Sequence, residues 1–186
     1  MKQRIKPKHM GRKVLSWLLC AAMLIGMMPQ LTLTARAEVQ YADEGATAII
    51  SDMTDFTAAL NNTAVNKIVI AKDFTMTQVT FPSTFDRAIT IDGLYNGEVH
   101  TLSQTGENNM FLLQNTAKVT LKNLTLDAAT SSGPIVIGHN GAASDLLMEN
   151  VTVKCTAGNN SYGTGLHVYN STATATVKNC IFDGTE

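Results

Sequence analysis

Beyond residue 37 the 186-residue sequence holds a single arginine, Arg87, two cysteines, Cys155 and Cys180, and no adjacent pair of aspartates. Each shortage excludes something. Seven basic residues face fifteen acidic ones there, a balance of −8, so the basic face that grips phosphates is missing and nucleic acid is excluded as a partner. Cys155 falls several residues further along its repeat than Cys180, too far for the ~5.5 Å Cα separation of a disulfide. Both read as free thiols acting as small apolar residues, and spacing this sparse does not suit zinc. No apolar run reaches the roughly 20 residues needed to span a bilayer. Nor is there a helical pattern long enough for a bundle, a low-complexity linker or a second domain.

The longest apolar run, Val14 to Met28, stops at Pro29 and belongs to a leader. Lys2, Arg4, Lys6, Lys8, Arg12 and Lys13 precede it and Ala35-Arg36-Ala37 follows it, which is the plan of a secretory signal peptide over residues 1–37. Cys20 follows Leu19 instead of the small residue a lipoprotein cleavage box wants, so no lipid anchor is expected. The long lysine-rich start resembles Gram-positive secretory leaders. The expected product begins at Glu38, is secreted or held at the cell wall, and has no stable membrane insertion once the leader is removed. Residues 38–46 are polar and expected to form a flexible lead-in.

What the chain does have is a repeat. Leu121-Lys122-Asn123-Leu124-Thr125-Leu126, Met148-Glu149-Asn150-Val151-Thr152-Val153 and Val177-Lys178-Asn179-Cys180-Ile181-Phe182 superimpose without a gap, their asparagines 27 and 29 residues apart. A period in the twenties built from short β-rich segments marks a chain that coils and stacks each turn on the last. That predicts an all-β fold, a right-handed parallel β-helix. Positions 121, 148 and 177, positions 124, 151 and 180, and positions 126, 153 and 182 are apolar throughout and predicted to point inward. The columns Lys122/Glu149/Lys178 and Thr125/Thr152/Ile181 alternate with them, the period-two signature of strands. The first of these two is read as a solvated set of cross-strand charges. With coils about 4.8 Å apart, Asn123, Asn150 and Asn179 fall in one column, where amides can bond up the stack as a structural ladder. Asn123 and Asn150 also sit in glycosylation sequons, but a glycan does not fit a stacked corner.

Residues 47–186 carry the predicted solenoid. Thr47 to Ile50 reads as a strand, and Ser51 to Asp55 supplies helix-starting chemistry ahead of Phe56 to Leu60, with Asn61-Asn62 closing the turn. This short N-terminal helix is expected to cap the first coil, because an open stack end exposes unpaired backbone. Strands are predicted at Lys67–Ala71, Ala88–Gly93, His100–Leu102, Phe111–Gln114, Val119–Leu126, Gly133–Ile137, Leu146–Val153, Gly165–Tyr169 and Ala175–Phe182. His139-Asn140-Gly141 reads as a turn between two of them. The chain stops directly after a core strand with no sorting signal or anchor helix, so it is expected to be the N-terminal part of a longer solenoid.

The capping helix, the Lys67-Ile68-Val69-Ile70 strand, the Thr90-Ile91-Asp92-Gly93 and His100-Thr101-Leu102 pair and the aliphatic-Lys-Asn-aliphatic-Thr strands together resemble the pectate-lyase-like right-handed β-helices. The likeness is greatest to the adhesive domains of that kind on secreted Gram-positive surface proteins, and it covers nearly all of residues 47–186. It implies fold more strongly than function, since this scaffold carries lyases, hydrolases, adhesins and passive stalks.

The chemistry of the enzymes on that scaffold is hard to find here. Calcium-dependent lyases gather carboxylates on one face, whereas Asp92, Asp127, Asp145, Glu149 and Asp183 do not all fall in one column. Arg87, the one candidate guanidinium base, lies before the repeats. Hydrolases place two carboxylates a few ångströms apart, and Gly138-His139-Asn140-Gly141 only faintly echoes their Gly-His-Gly motif. No catalytic residue, metal site or cofactor is therefore expected. If Leu166 and Val168 point inward, His167 and Tyr169 point out beside Leu112 and Val136, where an aromatic ring can stack on a sugar. The competing expectation is that a loop such as Thr156 to Gly163, with Tyr162, folds over that column. The sequence thus predicts a non-catalytic surface protein that adheres to polysaccharide or host glycan. Its alternative is the leading part of a polysaccharide lyase or glycoside hydrolase whose catalytic coils lie further on.

Overall fold

A computed structural model describes residues 39–82, 84–104, 108–114, 116–128, 135–140, 143–156, 164–169 and 172–185. The leader, Tyr162 with most of its loop, and the turn residues Asn115, Gly141 and Asn170-Ser171 lie outside the described residues. In chain order the elements are β1 (Gln40–Ala42), β2 (Thr47–Ile50), α1 (Met53–Asn61), β3 (Lys67–Ile70), β4 (Phe74–Thr75), β5 (Val79–Phe81), β6 (Ala88–Asp92), β7 (Leu94–Tyr95), β8 (Glu98–Val99) and β9 (Thr101–Ser103). They continue with β10 (Phe111–Gln114), β11 (Lys118–Ala128), β12 (Ile135–Asn140), β13 (Asp145–Thr156), β14 (Thr164–Val168), β15 (Thr174–Lys178) and β16 (Ile181–Thr185).

Alternating apolar and polar residues make short strands, and the strands stack in parallel as a β-solenoid of about three turns. One ladder runs β2-β3-β6-β11-β13-β15 and a second runs β5-β10-β12-β14. The long strands β11 and β13 turn at their asparagines, and their later halves pair with β9 and β16 as a third ladder. The register is the one the repeats predict. Leu121 opposes Met148 and Met148 opposes Val177, while Leu126 opposes Val153 and Val153 opposes Phe182.

These columns are the core. Ile68, Ile91, Leu121 and Met148 stack in one column and are fully buried, as are Leu102, Leu126 and Val153 in another. Burying one such side chain contributes roughly 1.5–3 kcal/mol, so a register slip that turned a column outward would cost an amount comparable to a domain's whole net stability. In the last coil Val177 and Phe182 continue the same columns at 43% and 47% exposure.

The opposite end is covered. Asp52 caps α1 by accepting from the Asp55 N–H at 2.8 Å, and spacing of i, i+3 turns Phe56 and Ala59 onto the first coil, where both are fully buried. The Phe56 ring lies 6.4 Å from that of Phe111, which stacks in turn on Phe81 at 6.2 Å. The Arg87 guanidinium donates to the carbonyls of Leu60, Asn62 and Val65, the last at 2.7 Å. It thereby ties the exposed carbonyl end of the helix to the approach to β6.

Three expectations need correction, and one element was not foreseen. From Gln40 onward the segment expected as a flexible lead-in carries regular structure. There β1 pairs antiparallel along β2 and a 3-10 turn follows at Asp43–Gly45, because the edge of β2 offers unpaired backbone groups. Between β6 and β9, where no element is predicted from the sequence, the chain forms a hairpin. Asn96 and Gly97 take positive φ angles of 50° and 85° and close the β7–β8 hairpin, as Asn-Gly pairs do in type I′ turns. A Cβ at Gly93 would lie 2.3 Å from the Leu124 Cβ, so this glycine lets the hairpin leave the solenoid wall at close approach. His139 belongs to strand β12 and not to a turn. Lastly, the column of outer charges is neither confined to Lys122, Glu149 and Lys178 nor solvated throughout: Lys122 opposes Asp92 in the preceding coil at 3.3 Å, and Asp92 is buried.

Candidate functional site

The three repeat asparagines occupy corners. Asn123, Asn150 and Asn179 have φ of 49°, 55° and 50°, the left-handed region where asparagine is tolerated far better than most residues with a Cβ. The Asn150 amide donates to Asn123 Oδ1 at 3.1 Å, and the Asn123 amide donates to Asp92 Oδ1 at 3.0 Å. Asn150 is exposed and Asn123 half-buried, so this run of amides edges the solenoid and is not sealed inside it.

Asp92 ends the run. It is 5% exposed, and burial alone would raise its pKa. The Asn123 amide, the Leu94 N–H and the Lys67 and Lys122 ammonium groups, each lysine at 3.3 Å, outweigh that and hold it below the ordinary carboxylate value. A carboxylate so fully engaged is a structural anchor. Elsewhere Asp127 pairs with Lys154 at 3.7 Å, Asp145 accepts from the Thr174 hydroxyl, and Asp73 accepts from the Thr101 N–H at 2.9 Å beside His100. Among the described residues no three acidic, histidine or cysteine side chains converge as a metal would need. Cys155 and Cys180 are free thiols, and burial raises the pKa of Cys155, as does nearby Asp183.

His139 faces the interior, fully buried. Its Nε2 meets the Ser144 Oγ at 2.5 Å, and its Nδ1 has no partner among the described residues. Burial lowers its pKa, against smaller upward pulls from Ser144 and Asp145. A serine and a histidine this close suggest nucleophile and base, yet Ser144 is fully buried too.

On the outside of the second ladder lies the aromatic pair singled out in the sequence. In β14, Leu166 stacks on Ile137 while His167 stands over Gly138, pointing away from the core. The Tyr169 N–H donates to the His139 carbonyl at 3.0 Å and extends the ladder one residue past the strand. The His167 and Tyr169 rings stack with centroids 3.8 Å apart, and Tyr169 is 49% exposed. A Cβ at Gly138 would lie 2.5 Å from the Asn109 amide nitrogen and 3.0 Å from Leu112 Cδ1. Those two side chains therefore fold over the glycine and continue the surface next to His167. Val136, expected on this face, is fully buried, so it adds nothing to it.

Parallel coils of this length, a helix over the first of them and left-handed asparagine corners define a β-solenoid of the parallel β-helix class. A family model of the pectate lyase-like adhesive domain matches residues 47–161, and the chain belongs to that family. No curated protein and no solved structure matches it. Among the described residues no helix is long and apolar enough to cross a membrane.

Proposed function

We propose that the chain is exported by its leader and acts at the surface of a Gram-positive-type cell as a non-catalytic adhesive module that binds glycan weakly through His167 and Tyr169. The observation that carries this reading is the exposed His–Tyr stack. The two rings fix one another, so little side-chain freedom is lost when a sugar ring packs on them. Asn109 and Leu112 beside them offer an amide for sugar hydroxyls and an aliphatic patch for C–H groups. The family's adhesive character supports the same reading, as do an arginine bound to helix carbonyls and an Asp92 bound to two lysines. Mass spectrometry of exported material is expected to find Glu38 at the N-terminus. On a glycan array the purified protein is expected to retain a subset of glycans, and Tyr169→Ala to lose them. Binding untouched by Tyr169→Ala removes this face from the account.

A further inference from the structure

A shallow depression of about 350 Å³ crosses β11, β13 and β15 on the outside of the first ladder. It belongs to a different sheet from His167 and Tyr169. Its side chains come in rows set by the register: Lys118, Asp145 and Thr174 oppose one another, and so do Thr120, Leu147 and Thr176. The chemistry of these rows is complementary. Lys118 and the threonine hydroxyls donate, Asp145 accepts, and its carboxylate is oriented by the Thr174 hydroxyl. Half-buried Leu147 lies in the middle as an aliphatic strip. The volume falls within the range of small-ligand sites.

The spacing narrows the ligand. Successive members of a row lie one strand separation of about 4.8 Å apart, close to the length of one sugar unit in an extended chain. A chain running along the solenoid axis would therefore meet the same pair of rows at each successive unit. In register Asp145 opposes Lys118 and Glu149 opposes Lys178, so the charges on this face come in opposite pairs, which favours a neutral chain over a polyanion. We propose that this groove is a second glycan site, which takes an extended neutral oligosaccharide with its C–H faces on Leu147 and its hydroxyls on Lys118, Asp145 and the threonines. One module then holds two chains at once, on two different faces.

The test is isothermal titration calorimetry of the purified protein with cellotetraose, an extended neutral probe, and with maltotetraose, its curved counterpart. Lys118→Ala, Lys178→Ala and Tyr169→Ala are compared, each change lying on a surface side chain, with melting curves run beside them. Cellotetraose is expected to bind, to weaken about ten-fold in Lys118→Ala through loss of a charge-assisted hydrogen bond, and to be unaffected by Tyr169→Ala. The absence of cellotetraose binding, its indifference to Lys118→Ala, or equal binding of maltotetraose would each overturn the proposal. Loss of cellotetraose in Tyr169→Ala alone would overturn it too and assign the sugar to the other face.

Discussion

Asn150 offers the sharpest separation of backbone from side-chain contributions. Its φ of 55° is a conformation in which a side chain with a Cβ is strained by roughly 1–2 kcal/mol, a cost asparagine partly offsets by local hydrogen bonding. Its amide makes one bond, to Asn123 Oδ1, at an exposed position, worth about 0.5–1.5 kcal/mol. Asn150→Ala loses both benefits and is expected to destabilise the fold by about 1.5–2.5 kcal/mol. Asn150→Gly loses the bond but accepts the left-handed backbone without strain, and is expected to cost about 1 kcal/mol or less. Urea denaturation of the three proteins measures the difference. If glycine is as damaging as alanine, the amide ladder carries the stability and the backbone argument is wrong. If neither substitution matters, the corner is not a determinant of the fold.

Arg87→Ala is expected to cost about 2–3 kcal/mol, because three carbonyls at the end of α1 lose a charged donor. Arg87→Lys should recover less than half of that, since an ammonium cannot present the guanidinium fork, and a full rescue in thermal melts would contradict the geometry. His139 is held neutral by burial, with its pKa below that of the unfolded side chain. Its contribution is thus fully present above the unfolded value near 6.5 and is lost as the pH falls from there through the folded value. Melts between pH 7 and pH 5 are expected to show a decline that His139→Leu reduces, and an identical pH profile in that variant would refute the assignment.

The register was legible because a solenoid repeats its environment. Leu121, Met148 and Val177 meet the same neighbours one coil apart, so one sequence period fixes the whole stack. His139 was misread although the same logic applies to it. Period two places it with Ile135 and Ile137, but its glycine and asparagine neighbours look like a turn, and only its pairing with Leu113 and Val168 shows the strand continuing inward. The β7–β8 hairpin carries its own Asn-Gly signal, which went unnoticed because it interrupts the repeat at the corner where later coils use one asparagine. The partners of Arg87 lie 22 to 27 residues away and leave no local pattern. The outward direction of His167 and Tyr169 follows from alternation alone, whereas their mutual stacking, and the burial of Val136, depend on what packs across coils.

The central claim is adhesion without cleavage, and one experiment meets it directly. The protein is incubated with pectins and other uronic-acid polymers, with and without calcium, while unsaturated products and new reducing ends are followed and retention of the protein on immobilised glycan is measured in parallel. The account predicts retention that Tyr169→Ala diminishes, with no new ends under either condition. Calcium-dependent release of unsaturated oligosaccharides would contradict it.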